Sequence, residues 1–306
     1  MEKNRSIINI LDLSVDEVAH LVKTANDIEK NPEKYQERCA HKKLATLFYE
    51  PSTRTRLSFE AAMLELGGQT LGFAGAQNSS ASKGESVADT IEVVSNYADI
   101  IAMRHPKEGA PVVAAAHTHV PFINAGDGGH FHPTQTLADI LTIERTKETL
   151  SGLTIGLCGD LKFGRTVHSV IDAMLRCPDN KYILISPNEL RLPEYELDKL
   201  RDAGASFEET KSLEDAIPKL DILYMTRVQK ERFFNEEDYL RLKDTYVLTP
   251  EKLLTAKADM AILHPLPRVN EISVAVDKDP RAKYFYQTLC GKQMRMALIL
   301  YLLGLD

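Results

Sequence analysis

Short apolar runs that end abruptly at polar residues recur along this chain, each followed by a stretch with helical spacing, and no other feature restricts the fold as much. Residues 44–49 form one such run, stopped by Pro51, and a helical pattern over 54–66 closes at Gly67-Gly68. The order returns with a strand at 69–73, a helix at 85–97, a strand at 99–103, a helix at 111–117 and a strand at 120–124. Strands alternating with helices pair in parallel, because a crossover of a dozen or so residues must carry the chain back before the next strand can start in the same direction. An amphipathic helix over 14–30 precedes the series. Its capping box is Ser14 with Glu17, and Val15, Val18, Val22, Ala25 and Ile28 lie near helical spacing.

After a turn rich in Gly and His at 125–132, Pro133 leads into a helix over 134–147 with no internal Gly or Pro, which suits a bridge between domains. A second α/β series follows, with strands near 153–158, 181–185, 221–225 and 260–263. A last helix over 291–303 is placed to pack back on the first domain. With 306 residues, 43% of them apolar, the chain can build two cores. We expect an α/β fold of two domains, each with a central, mostly parallel sheet flanked by helices. The first is residues 1–133 completed by a C-terminal helix at 289–306, then an interdomain helix at 134–149, then the second domain at 150–288.

Charge and cysteine usage exclude several functions. There are 37 Lys plus Arg against 44 Asp plus Glu, a net charge of -7 that disfavours a general nucleic-acid binder, so any anion site must be locally concentrated. The longest apolar stretch, residues 296–303, falls far short of the roughly 20 residues of a membrane span. The opening Met1-Glu2-Lys3-Asn4-Arg5 has no signal-like apolar core, which points to a cytoplasmic protein. Cys39, Cys158, Cys177 and Cys290 form no CxxC pair and suit reduced, buried thiols better than a disulfide framework or a zinc site. GxGxxG after a strand, GxxxxGK[ST], HExxH and GxSxG are all missing, so neither a cofactor nor a metal is expected.

In an open parallel sheet ligands bind beyond the carboxyl ends of the strands, and here those ends are strongly polar. After residue 49 come Pro51-Ser52-Thr53-Arg54-Thr55-Arg56, hydroxyls and guanidiniums at a helix N-terminus whose free N–H groups favour an anion. Helix capping alone also accounts for Ser52 and Thr53. The strand at 99–103 runs into Arg104-His105-Pro106, and that at 120–124 leads to His132-Pro133-Thr134-Gln135. Arg54, Arg104 and His132 on one rim call for a dianion to relieve their repulsion, although a single His near a loop is more often structural. In the second half, Cys158 leads to Gly159-Asp160-Leu161-Lys162-Phe163-Gly164-Arg165, and Met225 to Thr226-Arg227-Val228-Gln229. Arg165 and Arg227 suit a small dicarboxylate, surface salt bridges being the plainer account of each alone. His264-Pro265-Leu266-Pro267-Arg268 ends the last strand, where two prolines stiffen the chain so that fixed carbonyls can hold an amide NH2, or simply make a turn. Lys83 sits in the hydroxyl-rich Ser79-Ser80-Ala81-Ser82-Lys83-Gly84-Glu85, either a solvated loop or a mobile anion lid.

Together these residues resemble the catalytic chains of the aspartate carbamoyltransferase family, over nearly the whole length. Ser52-Thr53-Arg54-Thr55-Arg56 is similar to the carbamoyl-phosphate signature of all transcarbamoylases. Lys83-Gly84-Glu85, Met103-Arg104-His105-Pro106, His132-Pro133-Thr134-Gln135-Thr136, Gly159-Asp160-Leu161-Lys162, Thr226-Arg227-Val228-Gln229 and His264-Pro265-Leu266-Pro267-Arg268 resemble the aspartate branch. The ornithine branch is expected to carry Cys in place of Pro265. Asn270 stands where many relatives have Asp.

The resemblance implies the transcarbamoylase fold and transfer of a carbamoyl group from carbamoyl phosphate to L-aspartate in pyrimidine biosynthesis. It implies that Ser52, Thr53, Arg54 and Thr55 hold the phosphate, joined by Arg104, while His132 contacts the carbamoyl oxygen. Gln135 and the carbonyls of Pro265 and Leu266 would take the carbamoyl NH2, and Arg165, Arg227 and Gln229 would orient aspartate, with Leu266 lining that site. Lys83 and a serine of its loop, Ser79 by counting back and Ser80 as the alternative, would enter from the neighbouring subunit of a homotrimer. His105-Pro106-Lys107-Glu108-Gly109-Ala110 looks like the version found where zinc-containing regulatory chains bind, the zinc belonging to that partner. The rival functions are a transcarbamoylase for another amine such as ornithine and a noncatalytic anion or amino-acid binder.

Overall fold

The computed structural model of the chain describes residues 5–228, 237, 241–242 and 245–306. They form two units, residues 1–141 with 288–306 and residues 142–287. In the first, β1 (Ser6–Ile7), β2 (Lys43–Phe48), β3 (Gln69–Ala74), β4 (Ile100–His105) and β5 (Phe122–Asp127) make a parallel sheet of order β1-β5-β4-β2-β3. The intervening helices are α1 (Val15–Lys30), α2 (Thr53–Glu65), α3 (Val87–Ser95) and α4 (Ala110–His117). β2 and β4 are buried along almost their whole length, as continuous apolar runs covered on both faces should be. Leu47, Ile101, Met103 and Phe122 join the core between this sheet and its helices, each 1% exposed or less. Ser14 caps α1 through the expected box, its hydroxyl accepting from Glu17 N–H at 3.2 Å and its N–H donating to Glu17 Oε2 at 2.7 Å.

The second unit contains β6 (Thr154–Cys158), β7 (Lys181–Ile185), β8 (Ser206–Thr210), β9 (Ile222–Met225) and β10 (Ala261–Leu263), a parallel sheet of order β10-β9-β6-β7-β8. Between its strands run α6 (Arg165–Met174), α7 (Glu194–Asp202) and the short α8 (Leu213–Ala216). Helix α5 (Pro133–Lys147) belongs to the first unit up to Leu141 and to the second from Thr142. The C-terminal helix Tyr286–Leu303 starts five residues earlier than its sequence pattern predicts, and from Thr288 it belongs to the first unit. There the buried Arg295 guanidinium donates to Ser58 Oγ of α2 at 3.0 Å and Thr134 Oγ1 of α5 at 3.2 Å, and lies over the Phe59 ring. Burial pushes this guanidinium down to about 10, against the opposing pull of Asp139. One buried cation thus ties the first half of α2 to the first turn of α5, two helices that carry residues expected in the site.

Four further elements differ from the sequence reading. β1 is only two residues long, and β8 is the polar edge sequence Ser-Phe-Glu-Glu-Thr, so neither shows an apolar run. β5 continues to Asp127 instead of stopping at 124, because the polar side chains there satisfy one another: Asn124 Nδ2 donates to Ile8 O at 2.9 Å and Asp127 Oδ1 at 3.0 Å. Helix α3 begins only at Val87, where Ser86 Oγ caps it by accepting from Asp89 N–H at 3.1 Å. Among the described residues no helix is long and apolar enough to cross a membrane. Cys39, Cys158 and Cys290 are buried and Cys177 half-buried, all as free thiols.

Candidate active site

Within the first unit the parallel sheet sets the carboxyl ends of β2, β3, β4 and β5 on one edge, and the residues expected to hold carbamoyl phosphate follow those ends. β2 leads through Ser52 into α2, where Thr53, Arg54 and Thr55 form the first turn. The hydroxyl of Ser52 makes no capping bond and no acidic residue occupies this turn, so capping does not account for the serine. Arg56 is engaged elsewhere: its Nε donates to Glu60 Oε1 at 2.7 Å, and Glu60 also accepts from Thr46 Oγ1 at 3.0 Å. Arg54 is exposed.

Arg104 comes to this turn through strand pairing. Its Cα is in register with Phe48, its carbonyl accepts from Tyr49 N–H at 2.9 Å, and its Nε donates to Glu50 Oε1 at 2.6 Å. Glu50 therefore holds the Arg104 side chain beside the Ser52 turn, a partner the sequence did not reveal.

His132 is buried, and its carbonyl accepts from Gln135 N–H at 3.0 Å as α5 begins. The turn before it is organised by the fully buried Asp127, whose carboxylate accepts from Phe131 N–H at 3.0 Å and Gly109 N–H at 3.1 Å. An acid closing an apolar strand was the available signal for Asp127, masked by the glycines around it. Gln135 Nε2 donates to the buried Asp139 Oδ1 at 2.8 Å, which assigns the amide orientation and leaves Oε1 as the end that can accept from a substrate NH2.

Beyond β3, Ser79 is a half-buried cap: its hydroxyl donates to Ala76 O at 2.9 Å and accepts from Ala81 N–H at 3.3 Å. Ser80 and Lys83 are exposed on the same loop.

The second unit uses the same device. β6 and β9 are neighbours with Cys158 opposite Met225, so the loops after them start side by side. Thr226 clasps them: its N–H donates to Cys158 O at 2.8 Å and its hydroxyl accepts from Asp160 N–H at 3.0 Å. A Cβ at Gly159, whose φ is +118°, would stand 2.3 Å from Thr226 O, so this approach requires glycine. Asp160 Oδ1 then accepts from Phe163 N–H at 2.9 Å and turns the chain into α6, whose first residue is Arg165. Arg227 follows Thr226 at the end of β9. Gln229 lies outside the described residues.

β10, next to β9 with Leu263 opposite Tyr224, ends at the buried His264. Pro265 and Leu266 follow, half-buried, with Leu266 at φ +55°. His264 Nε2 lies 2.7 Å from Oε1 of the buried Glu271. Burial pushes the imidazole below its ordinary pKa, and the Arg227 and Arg268 charges add to that. Burial would raise Glu271, but the His264 bond and two backbone N–H donors outweigh it and keep the carboxylate ionised. Arg268 itself is committed to Asp277, with Nη2 to Oδ2 at 2.6 Å. Among the described residues no group of three or more His, Cys, Asp and Glu can hold a metal ion.

The chain matches the carbamoyl-P binding domain of the aspartate/ornithine carbamoyltransferase family over residues 5–145, and the Asp/Orn binding domain of that family over residues 151–302. It is 62% identical to the aspartate carbamoyltransferase catalytic subunit of Lachnoclostridium phytofermentans, over 98% of each chain. The corresponding subunit of Clostridium acetobutylicum is also 62% identical, over 99% of each. Among solved structures, the catalytic subunit of M. jannaschii aspartate transcarbamoylase superposes with a TM-score of 0.92 at 43% identity, covering 98% of both chains. The Trypanosoma cruzi enzyme in complex with aspartate and phosphate gives 0.91 at 36% identity, covering 97% of this chain and 96% of that one. With both domain matches in order along the chain and relatives this similar over its whole length, the chain belongs to the aspartate/ornithine carbamoyltransferase family, on the branch of the aspartate carbamoyltransferase catalytic subunits.

Proposed function

We propose that the two sets of residues above carry out the reaction of an aspartate carbamoyltransferase, moving the carbamoyl group of carbamoyl phosphate to the amine of L-aspartate and releasing phosphate. The observation that carries this reading is the start of α2, where three hydroxylated side chains, Ser52, Thr53 and Thr55, and Arg54 surround a helix N-terminus that has neither an acidic residue nor a side-chain cap of its own. Ser52, Thr53, Arg54 and Thr55 hold the phosphate with Arg104. His132, Arg54, Thr55 and Arg104 stabilise the charge that develops as the bond to phosphate breaks. Gln135 Oε1, directed by Asp139, and the Pro265 and Leu266 carbonyls accept from the carbamoyl NH2. Arg165, Arg227 and Gln229 orient the aspartate carboxylates.

The neutral amine attacks the carbamoyl carbon, the carbon–oxygen bond to phosphate breaks, and the amine proton leaves with the departing phosphate. No covalent enzyme intermediate is needed, since the donor is already activated and orientation plus fixed cations can supply most of the acceleration. The assembly is a homotrimer in which Lys83 and Ser79 or Ser80 complete a neighbour's site, supported by the exposure of Lys83 on its own chain. Residues 105–110 are the contact for zinc-containing regulatory chains. The free thiols suit the cytoplasm, and the pathway is pyrimidine biosynthesis.

Colorimetric detection of the carbamoylated product, with aspartate and ornithine offered in parallel, tests the reading: product is expected with aspartate alone. Arg227→Ala is expected to raise the aspartate KM by about a hundredfold or more, as loss of a charged hydrogen-bonding partner should, with lower kcat. Calorimetric binding of carbamoyl phosphate should change little. A variant weakened towards carbamoyl phosphate rather than aspartate would reverse the assignment of the two sets.

A further inference from the structure

The reaction as assigned gives His264 no part, yet this side chain is only 1% exposed and stands directly before the Pro265 and Leu266 carbonyls. Three bonds define its state. Its backbone N–H donates to Gln287 Oε1 at 3.0 Å, Nε2 faces Glu271 Oε1 at 2.7 Å, and Nδ1 accepts from Leu266 N–H at 2.8 Å. A backbone amide can only donate, so Nδ1 presents its lone pair and the ring proton sits on Nε2, pointed at the Glu271 carboxylate. The second Glu271 oxygen accepts from Val269 and Asn270 N–H, both at 3.1 Å, so this carboxylate acts as an acceptor at both ends.

The consequence runs through one peptide plane. The Leu266 N–H and the Pro265 C=O belong to the same trans peptide unit and point in opposite directions, so holding the N–H on His264 aims the Pro265 carbonyl away from it. Proline supplies no N–H at 265 or 267, which makes the Leu266 amide the one backbone donor in that tripeptide. The same bond restrains Leu266 in the left-handed region, costly for a side chain with a Cβ. We infer that His264, kept in its Nε2–H tautomer by Glu271, is a positioning residue that aims the Pro265 carbonyl at the carbamoyl NH2. This rests on the reading above that the carbonyl accepts from that NH2.

Acetyl phosphate, with a methyl group in place of the NH2, is the probe, and the measured quantity is the ratio of its Kd to that of carbamoyl phosphate. His264→Asn keeps an acceptor for the Leu266 N–H, two residues on, and should hold the wild-type ratio within about twofold. His264→Gln reaches Glu271 but loses that acceptor, and the ratio should fall about tenfold, the worth of one hydrogen bond. Glu271→Gln cannot accept from the ring and from two backbone amides with one oxygen, so it should behave like His264→Gln. Nitrogen-15 shifts of His264 in the wild-type protein should report protonated Nε2 and bare Nδ1, a readout independent of whether any variant folds. An Nδ1–H tautomer, or a folded His264→Gln protein that keeps the wild-type ratio, overturns the inference alone. A wild-type protein with no preference between the two phosphates overturns the assignment of the NH2 and the inference with it.

Discussion

Arg54→Ala is expected to lower kcat by about a thousandfold or more, because it removes the main positive charge at the point where the leaving phosphate gains its own. The residue is exposed in the first turn of α2, while the nearby structural ion pair, Arg56 with Glu60, is untouched by the change. Stability should therefore be nearly unaffected, with Tm within about 2 °C of the parent, as for a surface substitution. The loss should appear in kcat more than in carbamoyl phosphate KM, since an interaction that strengthens towards the transition state mainly affects the chemical step. Arg54→Lys should recover only part of the rate, keeping the charge but not the planar fork that binds two phosphate oxygens together. Steady-state kinetics beside a melting curve decide it. A folded Arg54→Ala protein with kcat within tenfold of the parent would remove this side chain from the role given to it.

Lys83→Ala is expected to be as damaging, and its distinguishing property is that a different chain can repair it. Lys83 lies on the exposed loop after edge strand β3, carried on the short turn Ser80–Lys83 that Ser79 caps. Homotrimers of Lys83→Ala and of Arg54→Ala should each be nearly inactive. After the two are dissociated, mixed in equal amounts and reassociated, a site is intact when its own chain supplies Arg54 and the next chain around the ring supplies Lys83. Random mixing in a cyclic trimer meets both conditions at about one quarter of the sites, and activity should return to about that fraction of a wild-type control. If Lys83 served its own chain, every site would lack one of the two groups. Mixed trimers of verified composition that stayed as inactive as their parents would therefore rule out the shared site.

The order of strand, polar loop and helix around residues 44–66 is determined by the sequence itself, as are the families of loop residues after β2, β4, β6, β9 and β10. Local physics suffices there: apolar runs buried on both faces, helix periods, and glycine or proline at the turns. The capping box at Ser14 and Glu17 was equally legible, because both partners lie within one helical turn.

The pairings that direct the candidate site residues were decided by tertiary structure. Arg104 meets Glu50 across 54 positions only because β4 lies beside β2, and Thr226 reaches Asp160 across 66 only because β9 lies beside β6. Neither adjacency is implied by hydrophobic periodicity, which specifies which face of a strand is buried but not which strand will be its neighbour. The same holds for the polar edge strand β8, whose sequence carries no apolar signal and which exists because β7 offers it an unpaired edge. Even the short-range link from His264 to Glu271 was not readable in advance. Its two side chains meet through a turn in which Leu266 takes a left-handed backbone conformation, which local preference disfavours and only the bonds of the folded loop impose.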